Sequence, residues 1–267
     1  MKRYLAALCS LIITLSALLC SASATFEIEN TATSEISLEL TTSEKEDIIE
    51  IVKSLPLSER NSAFIALLSY KADALSAQIQ NTMPLHEFPN YLQNCEVEED
   101  VLDEIVVVDE NTYIEFYSSG SFIVHNSYTV SSTPADETTA SLNSGSYCTA
   151  TKRSQTDAYN MFGYIVISVW AEGYFEYDNV NAPTAHIYDC KYEKYGILNA
   201  WDVQDWEEGT PSNESNKTAK FYGSGNFYWG ITYEGNGWKI QNKHITVGYS
   251  CNKSGVMTSI LEGFDYS

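Results

Sequence analysis

Basic residues are scarce in this chain: 15 Lys and Arg stand against 36 Asp and Glu, for a formal net charge of −21. A phosphate backbone or an anionic lipid surface needs a basic face, so nucleic acid and acidic membranes are excluded as partners. Long apolar runs are missing beyond Leu19, and nothing there approaches the ~20 apolar residues of a membrane span. No two of the six Cys stand at a C-x₂₋₄-C spacing, which argues against a zinc site. Histidines number four, and His86-Glu87 opens like a zincin helix, but Asn90 holds the place of the second ligand and Pro89 breaks the helix. There is neither a G-x-S-x-G elbow nor a phosphate-binding glycine loop. No reaction class is indicated, and no catalytic residue is assigned.

What the sequence does contain begins with a secretory signal. Lys2 and Arg3 form the charged start, Tyr4 to Leu19 the apolar core, and Ala22-Ser23-Ala24 the small-residue cleavage site. Lipid attachment at Cys20 is disfavoured because bulky Leu19 precedes it. Cleavage before Thr25 leaves about 243 residues, enough for a real core, in an oxidising, extracellular setting.

Charge and aromatics divide the mature chain. Thr25 to Glu110 holds 19 acidic and 4 basic residues, whereas all five Trp lie beyond position 169. An acidic N-terminal region (25–104) starts with a polar arm and continues into two predicted helices. Ser43 and Glu46 suit a capping box ahead of Ile48, Ile51, Val52 and Leu55 on one face. Pro56 stops this helix, and Ser58 caps a second with Phe64, Leu67, Leu68, Leu75 and Ile79 at helical spacing, while Lys71 and Asp73 argue against membrane insertion. A short β segment (105–130) holds a hairpin of 112–117 and 121–130, and a Ser/Thr-rich linker (131–146) follows. From 147 to 267 strand follows strand: 163–177 with a bulge or bend at Gly173, then 184–192 in alternation with Thr184, His186, Tyr188, Cys190 and Tyr192 on one face and Ala185, Ile187 and Asp189 on the other, and a hairpin around Gly235-Asn236-Gly237. The expected fold is mainly β, an antiparallel β-sandwich preceded by a small α-helical hairpin.

Removing the signal leaves Cys95, Cys148, Cys190 and Cys251, an even number that favours disulfides. Three connectivities are open. Cys190 and Cys251 sit on aromatic-flanked strands of the same β region, which favours that pair and leaves Cys95 to Cys148. The stretches VWAEGYFEYDN (169–179), IYDCKY (187–192) and ITVGYSCNKSG (245–255) resemble a group of uncharacterised secreted proteins of Firmicutes. That group carries a V-x-G-x-F-x-Y-[DN]-G strand, a cysteine about a dozen residues on, and a closing V-x-L-x-C-x-x-x-G strand. The resemblance covers about Val106–Ser259; Asn179 and Val180 stand where its turn glycine is expected. It implies the β fold and the Cys190–Cys251 pair, and no activity.

The candidate site is the run Trp201, Asp202, Asp205, Trp206, Glu207. Carboxylates beside indoles suit a sugar-stacking platform, a calcium site or a glycosidase acid/base pair; the plain alternative is core indoles with solvated acids. Tyr174, Tyr177, Tyr188, Tyr192, Tyr222, Tyr228 and Tyr233 carry the same ambiguity between core and binding face. The expectation is a secreted, non-enzymatic protein that binds at the cell surface, with a glycan or surface partner and no cofactor, calcium apart. The alternatives are a carbohydrate-binding or carbohydrate-active module, and a bacteriocin- or toxin-like precursor whose acidic segment is a pro-region. Mass spectrometry of culture supernatant is expected to show one chain beginning at Thr25. A fragment beginning near residue 130 would instead favour the precursor.

Overall fold

The computed structural model describes residues 39–82, 101–131, 146–195, 201–233 and 236–263. The signal segment, Cys95 and the linker beyond Ser131 lie outside them. Helix α1 spans Thr42–Ser54 and α2 spans Leu57–Thr82. The cap is Thr41 rather than Ser43: its hydroxyl accepts the Glu44 amide at 3.2 Å, and the Glu44 carboxylate accepts the Thr41 amide at 2.7 Å. That carboxylate also accepts from the Tyr70 hydroxyl at 2.6 Å and lies 3.1 Å from the Lys71 ammonium. Burial alone would raise the Glu44 pKa, but the bonds from Tyr70, Thr41 and Lys71 hold it below the ordinary carboxylate range. Lys71, which argued against a membrane helix, is in fact a buried clamp between α1 and α2, and it also donates to the Glu39 carbonyl at 2.7 Å. No helix among the described residues is long and apolar enough to cross a membrane.

Pro56 ends α1, as expected, and its carbonyl accepts the Glu59 amide, so α2 starts at Leu57 with Ser58 already inside the first turn. Arg60 then donates to the Leu55 and Val52 carbonyls at 3.0 and 2.8 Å, closing the C-terminal end of α1, and to the Asn126 side chain at 2.8 Å. The predicted apolar stripe is the packing face: Ile48, Val52, Phe64 and Leu68 are all buried.

Twelve strands among the described residues follow: β1 (Leu102–Asp109), β2 (Thr112–Tyr117), β3 (Phe122–Ser131), β4 (Tyr147–Cys148), β5 (Thr151–Tyr159), β6 (Ile165–Tyr177), β7 (Thr184–Lys194), β8 (Trp201–Gly209), β9 (Ser212–Asn213), β10 (Thr218–Tyr233), β11 (Asn236–Asn252) and β12 (Met257–Gly263). Sheet A runs β1-β2-β3-β5-β6, with β4 and β7 also paired to β6; sheet B runs β12-β11-β10-β8, with β9 beside β10. Every pairing is antiparallel. The protein is therefore mainly β, sandwich-like, with both helices ahead of the strands. The hairpin before the linker and the strands after it share one sheet, because β3 pairs with β5 from Phe122↔Tyr159 to Ser131↔Thr151.

Sheet A carries an apolar layer on each face. Toward sheet B, Tyr117, Ile123, Ala158, Ile167, Val169, Ala171 and Phe175 meet Phe221, Phe227, Ile245, Val247 and Tyr249. Toward the helices, Ile114, Phe116, Phe122, Val124 and Tyr159 meet Ile48, Val52, Phe64 and Leu68. Phe122 stacks on Tyr159 at 4.9 Å, and Phe64 meets both rings edge-on at 5.0 and 4.9 Å. The turn after β5 touches α2 so closely that a Cβ on Gly163, at φ +79°, would lie 2.4 Å from the Phe64 carbonyl. Only glycine fits there.

Two expectations about strand faces change. The bend at Gly173 is a register shift between Glu172 and Gly173, as the lone glycine suggested, and on the partner strand it skips Tyr188. The extra residue reverses the alternation of β7, so Ala185 and Ile187 share the inner face with Cys190 and Tyr192, while His186 and Asp189 lie on the outer one. Nor does the structure pair Cys190 with Cys251: both thiols, and that of Cys148, are free. The Cys190 sulfur lies against Gly223 of β10, whereas Cys251 is opposite Ala219 of the same strand. Four residues of strand separate those positions by about 13 Å, well beyond disulfide reach. Cys148 is opposite Glu176, away from both.

Phe64→Ala is expected to cost about 3–5 kcal/mol in urea unfolding, because its cavity opens against three rings. Peptide mapping after alkylation of denatured, unreduced protein is expected to find Cys190 and Cys251 both modified. A Cys190–Cys251 disulfide peptide would contradict the fold's register.

Candidate functional site

Each sheet leaves one polar face outward. Among the described residues the helices cover the β1, β2, β3 and near β5 portion of sheet A, and the remainder of β5, β6 and β7 presents a mixed aromatic and charged surface. Trp170 is at its centre, its indole N–H donating to Asp189 at 2.7 Å. Lys191 and Arg153 both lie over its ring, at 4.9 and 5.6 Å from the centroid. Arg153 is held by Glu172 at 2.6 Å, and Lys191 lies 3.8 Å from Asp189 and 3.9 Å from Glu193. Further along the strands Tyr174 stacks with His186 at 4.6 Å and with Tyr188 at 5.2 Å, and His186 approaches Glu176 at 3.4 Å. Burial, together with the neighbouring Tyr188 and Glu176, pushes the Tyr174 phenol up to about 12. Aromatic period-two strands were legible in the sequence, but Trp170, Arg153 and Lys191 were not singled out, because only the β5-β6-β7 register brings them together.

The run expected to form a site, Trp201 to Glu207, is β8, the edge strand of sheet B. A bulge opposite Gly225 splits it: Asp205 takes φ 54°, and Ser224 and Asn226 pair with Glu207 and Gln204 on either side. Trp206 consequently turns inward, half-buried in a trough over Gly223 and Gly225, and meets Tyr192 and Phe227 edge-on at 5.0 and 6.4 Å. Asp202, Asp205 and Glu207 stay exposed. The indole of Trp206 and the carboxylates therefore lie on opposite sides of the strand, and the Trp201 side chain lies outside the described atoms. Cys190 packs under the same strand, where burial and the nearby Glu208 push its thiol up to about 12, far from a reactive thiolate.

Asp205 instead joins a polar row across the outer face of sheet B. Its carboxylate accepts from the Asn226 amide at 3.1 Å; the Asn226 carbonyl oxygen is 2.9 Å from His244 Nδ1, and His244 Nε2 is 3.1 Å from Ser224 Oγ. Thr246 Oγ1 lies 2.9 Å from Ser224 Oγ and 3.2 Å from His244 Nε2. Ser224 and Thr246 are buried and His244 is half-buried.

A third polar group lies between the sheets. Glu115, His125, Lys243 and Tyr117 are all buried there: Tyr117 donates to Glu115 at 2.5 Å, His125 Nε2 is 3.5 Å from Glu115, and Lys243 lies 3.3 Å over the Tyr117 ring. Desolvation would raise the Glu115 pKa, but His125, Tyr117 and Lys243 hold it below the usual carboxylate range. Among the described residues no group of three or more His, Cys, Asp and Glu is arranged to hold a metal. Compared with known proteins, the chain matches no family model, no curated protein and no solved structure.

Proposed function

We propose that this is an extracellular binding protein, acting by contact at a cell surface, and that the outer face of β5, β6 and β7 meets its ligand. The observation that carries this reading is the uncovered half of sheet A. Trp170 lies there beneath two cations, and the Tyr188–Tyr174–His186 stack continues the surface along the strands. Aromatic rings with flanking Arg and Lys supply large contact area at little conformational cost, the composition expected of an interface core. The signal segment supports an extracellular setting.

A glycan is the ligand class favoured within this reading, because stacked phenols bordered by carboxylates and amines suit the alternating apolar faces and hydroxyls of sugars. The precursor reading is weakened by the fold: cutting near residue 130 would remove β1, β2 and nearly all of β3, and with them the β5 pairing and the whole helical layer.

A glycan array run with and without calcium is expected to give binding that Tyr174→Ala and Lys191→Glu each reduce about tenfold or more, independent of the ion. Binding that survives both substitutions, or that moves only with Asp202 and Glu207 variants, would transfer the site to β8.

A further inference from the structure

We propose that the outer face of sheet B is a hydrolytic site in which Ser224 is an acyl-accepting nucleophile, His244 its general base, and Asn226, anchored by Asp205, the positioning residue. This goes beyond the binding reading and uses none of its residues. Asp205 as a carboxylate accepts only, so the Asn226 group 3.1 Å away is its NH₂. The Asn226 carbonyl oxygen then faces His244 Nδ1 at 2.9 Å, which places the imidazole proton on Nδ1. Nε2 is left with its lone pair directed at the Ser224 hydroxyl 3.1 Å away. Nucleophile, base and orienting group thus meet through the same ring nitrogens as in a Ser-His-Asp triad, with the orienting amide that Cys-His-Asn triads use.

The hairpin supplies this order. Asn226 is opposite His244 and Ser224 is opposite Thr246 in the β10–β11 register, so alternate rungs of one ladder hold all four side chains on one face. Only 6% of Ser224 is exposed, beneath a rim where Tyr222 donates to Glu207 at 3.2 Å, and bulk water is largely kept from the hydroxyl. The side-chain donor placed for a developing oxyanion is the Thr246 hydroxyl, 2.9 Å from Ser224 Oγ.

The reaction balances without a further reagent. Ser224 Oγ bonds to the carbonyl carbon of an ester while its proton passes to Nε2; the C–O bond to the alcohol breaks and Nε2 returns the proton to the departing oxygen. Water, deprotonated by the same nitrogen, then splits the acyl-enzyme to a carboxylic acid and free Ser224. One side-chain donor in place of an amide pair suits esters rather than peptide amides, and the Asp205 and Glu207 carboxylates select neutral or cationic substrates.

The test uses the mature chain with a fluorophosphonate probe and p-nitrophenyl acetate. The expected result is a single phosphonylated peptide carrying Ser224 and ester hydrolysis that Ser224→Ala and His244→Gln each lower by about 100-fold or more. Asn226→Leu is expected to lower kcat with KM unchanged, the signature of lost positioning rather than lost binding. Ser224→Cys keeps the fold and the nucleophile and is expected to gain iodoacetamide labelling at position 224, so a destabilised alanine variant does not decide the outcome. Absence of a Ser224 adduct on the folded wild-type chain, or hydrolysis unchanged in Ser224→Ala, overturns the assignment.

Discussion

Burial of sheet A on both of its faces is the constraint on which the rest of the structure depends. Phe116 faces the helices while Tyr117, its neighbour, faces sheet B, and Phe122 and Ile123 repeat the division. A sheet used this way cannot stand without both partners, since removing either exposes an aromatic layer to water. The helical pair is therefore part of the core. Its own cohesion comes from a charged device, the Glu44 carboxylate shared by Thr41, Tyr70 and Lys71, which fixes the angle at which Phe64 is delivered to the sheet. A buried ion pair is weak evidence of stability, but breaking one by removing a partner leaves an uncompensated charge.

Among the described residues the helices pack over the β1, β2, β3 and near β5 end of sheet A, and this leaves the outer half-face of β6 and β7 open. Where the helices end, the outer side chains of β6 and β7 change from apolar to the Trp170 and Tyr174 groups with their ionic neighbours. Trp170 is only 7% exposed, no helix among the described residues packs on it, and Arg153 and Lys191 lie across its ring. Their charged heads lie over the indole and at the same time within reach of Glu172, Asp189 and Glu193. A ligand meeting this surface would exchange those intramolecular partners for its own groups, which makes the face selective toward partners that can replace them.

The sequence was most legible where one periodicity decided the outcome. Ile48 and Val52, Phe64 and Leu68, the hairpin of β2 and β3, and the Gly173 irregularity could all be located from spacing and turn chemistry. It was least legible wherever a single inserted residue changes parity, because strand side chains alternate with a period of two and one extra residue sends every later side chain to the other face. At Tyr188 this turned an apparently regular alternation inside out. At Asp205 it separated Trp206 from the carboxylates that looked like its companions. Cys190 and Cys251 failed for a related reason: two cysteines on strands that share a core say nothing about their offset along those strands, and here the offset is four residues.

The strongest case is β10 and β11. Counted outward from the Tyr233–Asn236 pair in unbroken register, Asn226 would be opposite Lys243. The shift between Trp229 and Gly230 places it opposite His244 instead. That single residue has two consequences at once. It turns His244 outward, into reach of Asn226 and Ser224, and it turns Lys243 inward, over Tyr117 and beside Glu115. A lysine among apolar strands is otherwise costly, and the buried Glu115, Tyr117 and His125 group supplies the negative charge and ring face that make it tolerable. The placing of Lys243 in the buried polar group between the sheets and the polar row outside them are thus two results of one bulge. Restoring strict register would leave His244 buried without Asn226 and Lys243 exposed, removing both together.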